Sequence, residues 1–216
     1  MRRRPILAHA TPVLGSKVRR FRTASLALVL AVTLAACGGG AALKGAVRNP
    51  PLQVGSVSLP GPDGQEVAMK AEPGGLLLVY FGYTSCPDVC PTTMADISEA
   101  LTELHPDQAE KVTVAMVTVD PERDTLEKLH EYLGHFFSRG LPLRTEDTAR
   151  LTEVTSAFGV QWEIEEHEPG ETYDVAHTAL TYVIDDTGTV RVEWPFGFAA
   201  DDMAADIASL LEEAEA

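Results

Sequence analysis

Two cysteines separated by three residues, Cys86 and Cys90 in CPDVCP, carry the strongest chemical potential in this chain. Thiols placed this way can bind a soft metal, exchange with a disulfide, or close a structural bridge. The apolar run LLLVYFGY, Leu76 to Tyr83, delivers the first of them, and Pro91 opens an apparent helix after the second. The pair is therefore predicted at a strand-to-helix turn. Unpaired N–H groups and the positive end of a helix favour a thiolate there, so both cysteines are expected to lose their protons readily. A bridge across so short a loop would restrict the unfolded chain little, which argues against a purely structural pair. Far downstream, His177 stands at the head of another apolar strand, and α/β strand order brings it close to the turn. Two thiolates and one imidazole suit Cu(I), which accepts few ligands, and can also bind Cu(II). A closed zinc site would recruit a fourth ligand. A lone strand histidine is also an ordinary hydrogen-bonded residue, and disulfide exchange needs only the two thiols, so these readings stay open. His105, His130 and His135 fall on helices or their ends, and His9 lies in an N-terminal export segment.

The elements that must position these residues follow from periodicity. Val54–Leu59 and Glu66–Met69 flank PGPDGQ and predict a hairpin. After the LLLVYFGY strand, Met94, Ile97, Leu101 and Leu104 recur at helical spacing until His105 and Pro106. VTVAMVTV, residues 112–119, is a second buried strand. Asp124 and Glu127 read as a capping box for a helix to about Phe137, and Asp147 starts another to about Phe158. Strands at His177–Ile184 and Thr189–Trp194 flank DDTG, and a last helix runs from Ala200 to about Leu211. The order is β-α-β-α, a helix, then β-β-α. It predicts a three-layer α/β sandwich with a mixed central sheet, flanking helices and an N-terminal β-hairpin extension.

The chain has 216 residues and 45% apolar content, enough for one domain with a buried core. Seven of its 17 basic residues and none of its 32 acidic ones fall in the first 36 positions, so the remainder carries a formal charge of −22. A surface of that sign repels nucleic acid, which excludes nucleic-acid binding. Basic residues to Arg22, an apolar stretch from Ala24 to Ala36, then Cys37 form an export signal in the proper order, too short to span a bilayer. Leu34, Ala35 and Ala36 before Cys37 match a bacterial lipoprotein box, which implies cleavage there and acylation of Cys37. The expected organisation is a signal peptide over residues 1–36, a flexible tether over 37–51 and the domain over 52–216, held to a bacterial membrane outside the cytoplasm. The loop from Glu163 to Asp174, with five glutamates and His167, is solvated or forms a lid or docking surface for copper or a basic partner.

FGYTSCPDVCPTTM, VTVDPERDT and YDVAHTALTYVIDDTG, followed by FGF, resemble together the Sco/SenC family of membrane-tethered, thioredoxin-like copper proteins. The resemblance runs from about Gly55 to the C-terminus. It implies a thioredoxin-like fold, copper held by Cys86, Cys90 and His177, and delivery to the binuclear copper centre of cytochrome c oxidase subunit II or another exported copper protein. It also allows reduction of that centre's cysteines, or more broadly a thiol–disulfide oxidoreductase working through Cys86 and Cys90. Two positions depart from the family pattern: Ala176 stands where Asp is common before the histidine, and Ser85 where His is common before the first cysteine. Asp174, two positions before Ala176, is a candidate substitute for the missing carboxylate.

Overall fold

The structure, a computed structural model, describes residues 42–168 and 170–215; the expected signal peptide over residues 1–36 and Cys37 lie outside the described residues. In chain order the elements are β1 (Leu52–Gln53), β2 (Ser58–Pro60), β3 (Glu66–Ala68), β4 (Leu76–Gly82), α1 (Val89–Glu103), α2 (Pro106–Ala109) and β5 (Val112–Thr118). There follow α3 (Leu126–Gly134), β6 (Gly140–Leu143), α4 (Thr148–Phe158), β7 (Trp162–Ile164), β8 (Val175–His177), β9 (Leu180–Ile184), β10 (Thr189–Pro195) and α5 (Ala200–Ala214).

Six strands form one mixed sheet in the order β1-β10-β9-β4-β5-β6. β4 and β5 pair in parallel from Leu76↔Val112 to Gly82↔Thr118, and β9 pairs antiparallel on the other side of β4. Every β4 residue is buried, as a continuous apolar run demands of a strand covered on both faces. Alternation along that strand sets the layers. Tyr80 points to α1, where its hydroxyl reaches Cys90, while Phe81 points the opposite way onto Phe158 of α4, ring centroids 5.1 Å apart. Right-handed crossovers from β4 to β5 and from β5 to β6 put α1 and α3 on one face, and Ser98 of α1 donates to the Phe136 carbonyl just past α3. α5 packs against α1. The expected three-layer sandwich is the fold observed.

Several local expectations are corrected. α1 begins at Val89, so Cys90 lies inside its first turn instead of before it. The cap of α3 is Thr125, whose side chain accepts from the Lys128 N–H, and the helix ends at Gly134; Asp124 is buried and engaged elsewhere. β6 is an additional strand, which Pro142 obscured because proline interrupts a strand pattern and is tolerated only at an edge such as this one. The single strand expected from His177 to Ile184 is two: β8 pairs with β7 in a small separate hairpin, and the chain then enters the main sheet at Leu180. β2 and β3 form the expected hairpin, also apart from the main sheet. Part of the segment expected as tether lies on the body. Ala46 bridges Glu193, and the buried Asp206 carboxylate accepts from the Lys44 and Gly45 N–H groups and from Trp194 Nε1.

Candidate metal centre

β4 ends at Gly82, and the chain turns through Tyr83 and Thr84 into α1. The turn is fastened from behind. Asp124, fully buried, accepts from the Thr84 N–H at 3.0 Å, the Thr84 hydroxyl at 2.5 Å and the Thr118 hydroxyl at 2.7 Å. Cys86 is half-buried and its sulfur accepts the Cys90 N–H at 3.3 Å. Asp88, the residue before α1, makes no side-chain cap, so an otherwise orphan donor of the helix start goes to a thiol. Cys90 is fully buried. Gly82 makes this possible, because a Cβ there would stand 2.6 Å from Tyr80 Cε1 and 3.1 Å from Cys90 Sγ.

His177 ends β8, paired with Trp162. Its Nδ1 lies 3.2 Å from the Thr178 carbonyl oxygen and its Nε2 lies 3.7 Å from Cys90 Sγ. A carbonyl only accepts, so Nδ1 carries the proton and the Nε2 lone pair faces the sulfur. Burial lowers the histidine's pKa and favours this neutral ring. Tyr80 and Tyr83 bracket the imidazole edge-on, with centroids at 6.0 and 5.9 Å and interplanar angles of 86° and 87°.

Burial pushes the Cys90 thiol up to about 12, outweighing the hydrogen bonds from the Tyr83 backbone and the Tyr80 hydroxyl that favour the thiolate. The expectation that both cysteines ionise readily is thus corrected for Cys90: in the metal-free protein desolvation beats the helix start. Cys86 and Cys90 are free thiols. Among the described residues, no three Cys, His, Asp or Glu side chains stand already gathered as a metal cage. Cys90 and His177 meet, whereas Cys86 is turned to the helix start.

The SCO1/SenC family model matches residues 47–212 of this chain. The chain belongs to the SCO1/SenC family. It is 37% identical over 116 residues to a SCO2-like protein of Rickettsia prowazekii, covering 53% of this chain and 56% of that one, so it spans about half the length of that curated relative. Among solved structures it is similar to apo Sco1 of Thermus thermophilus, with a TM-score of 0.69 and 32% identity over 78% of this chain and 97% of that chain. It is also similar to Bradyrhizobium japonicum ScoI with copper bound, with a TM-score of 0.61 and 32% identity over 77% and 98% of the two chains. The central mixed sheet with flanking helices is the thioredoxin-like arrangement of these Sco structures.

In this Sco protein a main-chain group, not a neighbouring carboxylate, meets the His177 ring. Ala176 is exposed, Asp174 pairs through its main chain with Glu165, and the Thr178 carbonyl orients the ring. Ser85 is exposed at the rim. The other histidines stand apart: His105 caps α2, His130 and His135 are exposed on or beside α3, and His167 stacks on Tyr173 at 3.6 Å.

Sequence reasoning missed the supports. Asp120 accepts from the Tyr173 hydroxyl at 2.8 Å and pairs with Arg123, whose guanidinium lies 3.7 Å over the Tyr173 ring and 5.5 Å from the Tyr83 ring. The DPERD stretch therefore braces the β7–β8 hairpin and the cysteine turn instead of capping a helix. Tyr80 was legible in principle. It shares a strand face with Gly82, two residues on, and that face had to receive the helix carrying Cys90.

Proposed function

We propose that this Sco protein binds copper through Cys86, Cys90 and His177 and hands it to an exported copper protein, the binuclear copper site of cytochrome c oxidase subunit II. The observation that carries this reading is the pair formed by Cys90 Sγ and His177 Nε2 at 3.7 Å, with the ring's proton committed to the Thr178 carbonyl and its lone pair turned to the thiol. Copper is the cargo. Loading displaces the thiol protons, and the half-buried Cys86 swings from the helix start to supply the third donor. Two soft thiolates and an imidazole suit Cu(I) and can also hold Cu(II). A relative at 32% identity was solved with copper bound, which supports the reading. Acylation at Cys37 would anchor the chain to a bacterial membrane with the domain outside the cytoplasm.

Competition titration of the reduced full chain with Cu(I) tests the proposal. One tight equivalent is expected, weakened by orders of magnitude in His177→Ala and in Cys86→Ser; binding indifferent to His177 would end it. Transfer of that equivalent to the apo form of an oxidase subunit II copper domain tests the delivery step.

A second reading draws on the unequal exposure of the thiols. The half-buried Cys86 can attack one sulfur of a partner's disulfide and release the other as a thiol; the buried Cys90 then attacks Cys86 and frees the partner. Two electrons pass to the partner, and a Cys86–Cys90 disulfide remains. Turnover of a disulfide substrate without metal, lost in Cys86→Ser, would favour this activity.

A further inference from the structure

Tyr80 touches both halves of the pair just described, yet no motif around the cysteines includes it. Its hydroxyl donates to Cys90 Sγ at 3.6 Å, and the edge-on packing already described puts its ring against His177. The side chain is 1% exposed and sits where Gly82 leaves no spare room, so the contact has few alternatives. A phenol hydroxyl has one proton to donate, and the buried sulfur is the acceptor in its reach. Tyr182, one strand away, makes a useful contrast: its hydroxyl is equally buried and has no hydrogen-bond partner in the structure. A hydroxyl aimed at sulfur gives a weak bond to a thiol and a stronger one to a thiolate, bound to metal or free.

We propose that Tyr80 is a positioning residue that holds the Cys90 sulfur against His177 and, by donating a hydrogen bond to that sulfur, tempers its electron donation so that bound copper stays exchangeable. The copper part of this inference rests on the function proposed above; the sulfur part does not. Hydrogen bonds around a cysteine sulfur are a known lever on copper–thiolate sites.

The test compares Tyr80→Phe with Tyr182→Phe in the full chain, carrying Cys37→Ser to remove the third thiol and purified in detergent. Without metal, the Cys86–Cys90 disulfide takes up two electrons and two protons to give two thiols, and a dithiothreitol buffer reads the equilibrium. Loss of this weak hydrogen bond to the reduced thiol is expected to shift Tyr80→Phe about two- to threefold toward the disulfide, as a net bond of roughly 0.5 kcal/mol implies; that corresponds to about 10–15 mV for this couple. Tyr182→Phe stays at the wild-type value. With Cu(II) alone, the sulfur-to-copper charge-transfer band of Tyr80→Phe moves to lower energy. Equal couples in Tyr80→Phe and wild type, or an equal shift in Tyr182→Phe, would overturn the assignment. A wild type with no sulfur-to-copper band would instead remove the copper reading, and the metal-free couple would still decide whether Tyr80 acts on Cys90.

Discussion

The floor of the site and the β7–β8 loop are both reached from His177, yet they are built in opposite ways. Tyr80, Gly82, Cys90 and Met116 form a dry, close-packed floor with side chains 0–1% exposed where a side chain exists to measure. At the other end of the hairpin, Glu122, Glu165, Glu166, His167, Glu168 and Glu171 line an open acidic hollow of about 690 Å³. The floor holds a sulfur and an imidazole in one relation, because close-packed groups have few alternative positions. The hollow faces water, where individual charges contribute little to stability and act mainly on approaching partners. Arg123, between the rings of Tyr83 and Tyr173, is the link between the two regions.

The largest predicted effect belongs to the floor and to alkaline pH. The Cys90 thiol sits at about 12 in the folded protein against an ordinary value of 9.0, so above pH 9 the unfolded state loses this proton first. Stability is present below about pH 9 and is lost as pH rises toward 12, by up to about 4 kcal/mol at 1.36 kcal/mol per unit. Urea midpoints measured across that range should fall more steeply for wild type than for Cys90→Ala. Parallel curves would mean that the floor is wetter than described.

Gly82→Ala comes next. Its new methyl meets Tyr80 and the Cys90 sulfur, and a loss of about 1–3 kcal/mol is expected from overpacking. Copper affinity should drop with it, since the displaced sulfur is one of the three proposed donors. Wild-type stability and affinity would show that the floor yields, and the contrast with the hollow would blur.

The smallest effect belongs to the hollow. Replacing the exposed Glu165 and Glu166 by Gln should leave stability within about 0.5 kcal/mol of wild type, and adding His167→Gln, which removes the stack on Tyr173, should cost about 1 kcal/mol more. Copper affinity should also remain near wild type, while the rate of transfer to a basic partner loses part of its salt dependence. A large loss of affinity would join the hollow to the site. Unchanged transfer as well as unchanged affinity would remove the hairpin's lid or docking role.

Long, uniform signals in the sequence were read correctly, and so was the short β2–β3 hairpin with its Pro/Gly turn; short strands without such a turn were not. β4 and β5 are continuous apolar runs, α4 has Asp147 as its cap, and the β9–β10 turn has Gly188 at φ 81°. β6 has four residues including a proline, and β7 and β8 have three each in a stretch rich in glutamate, so neither period nor composition marked them. Asp124 fitted a capping box by spacing, but the tertiary fold offered its carboxylate three buried donors, and a buried charge must be satisfied before an exposed cap is.

The amino-acid sequence by itself determined that two thiols stand at a strand-to-helix turn, that a histidine lies just ahead of a downstream apolar strand, and that the family motifs are present in order. It could not assign the thiols different characters, because in sequence they differ by four positions and share one helix start. Only the tertiary structure decided that Cys90 is buried and held protonated while Cys86 is half-exposed, that the Thr178 carbonyl orients His177, and that Tyr80 donates to sulfur. Those outcomes depend on desolvation and on hydrogen-bond partners brought together by packing, as when Cys90 meets a histidine 87 residues away.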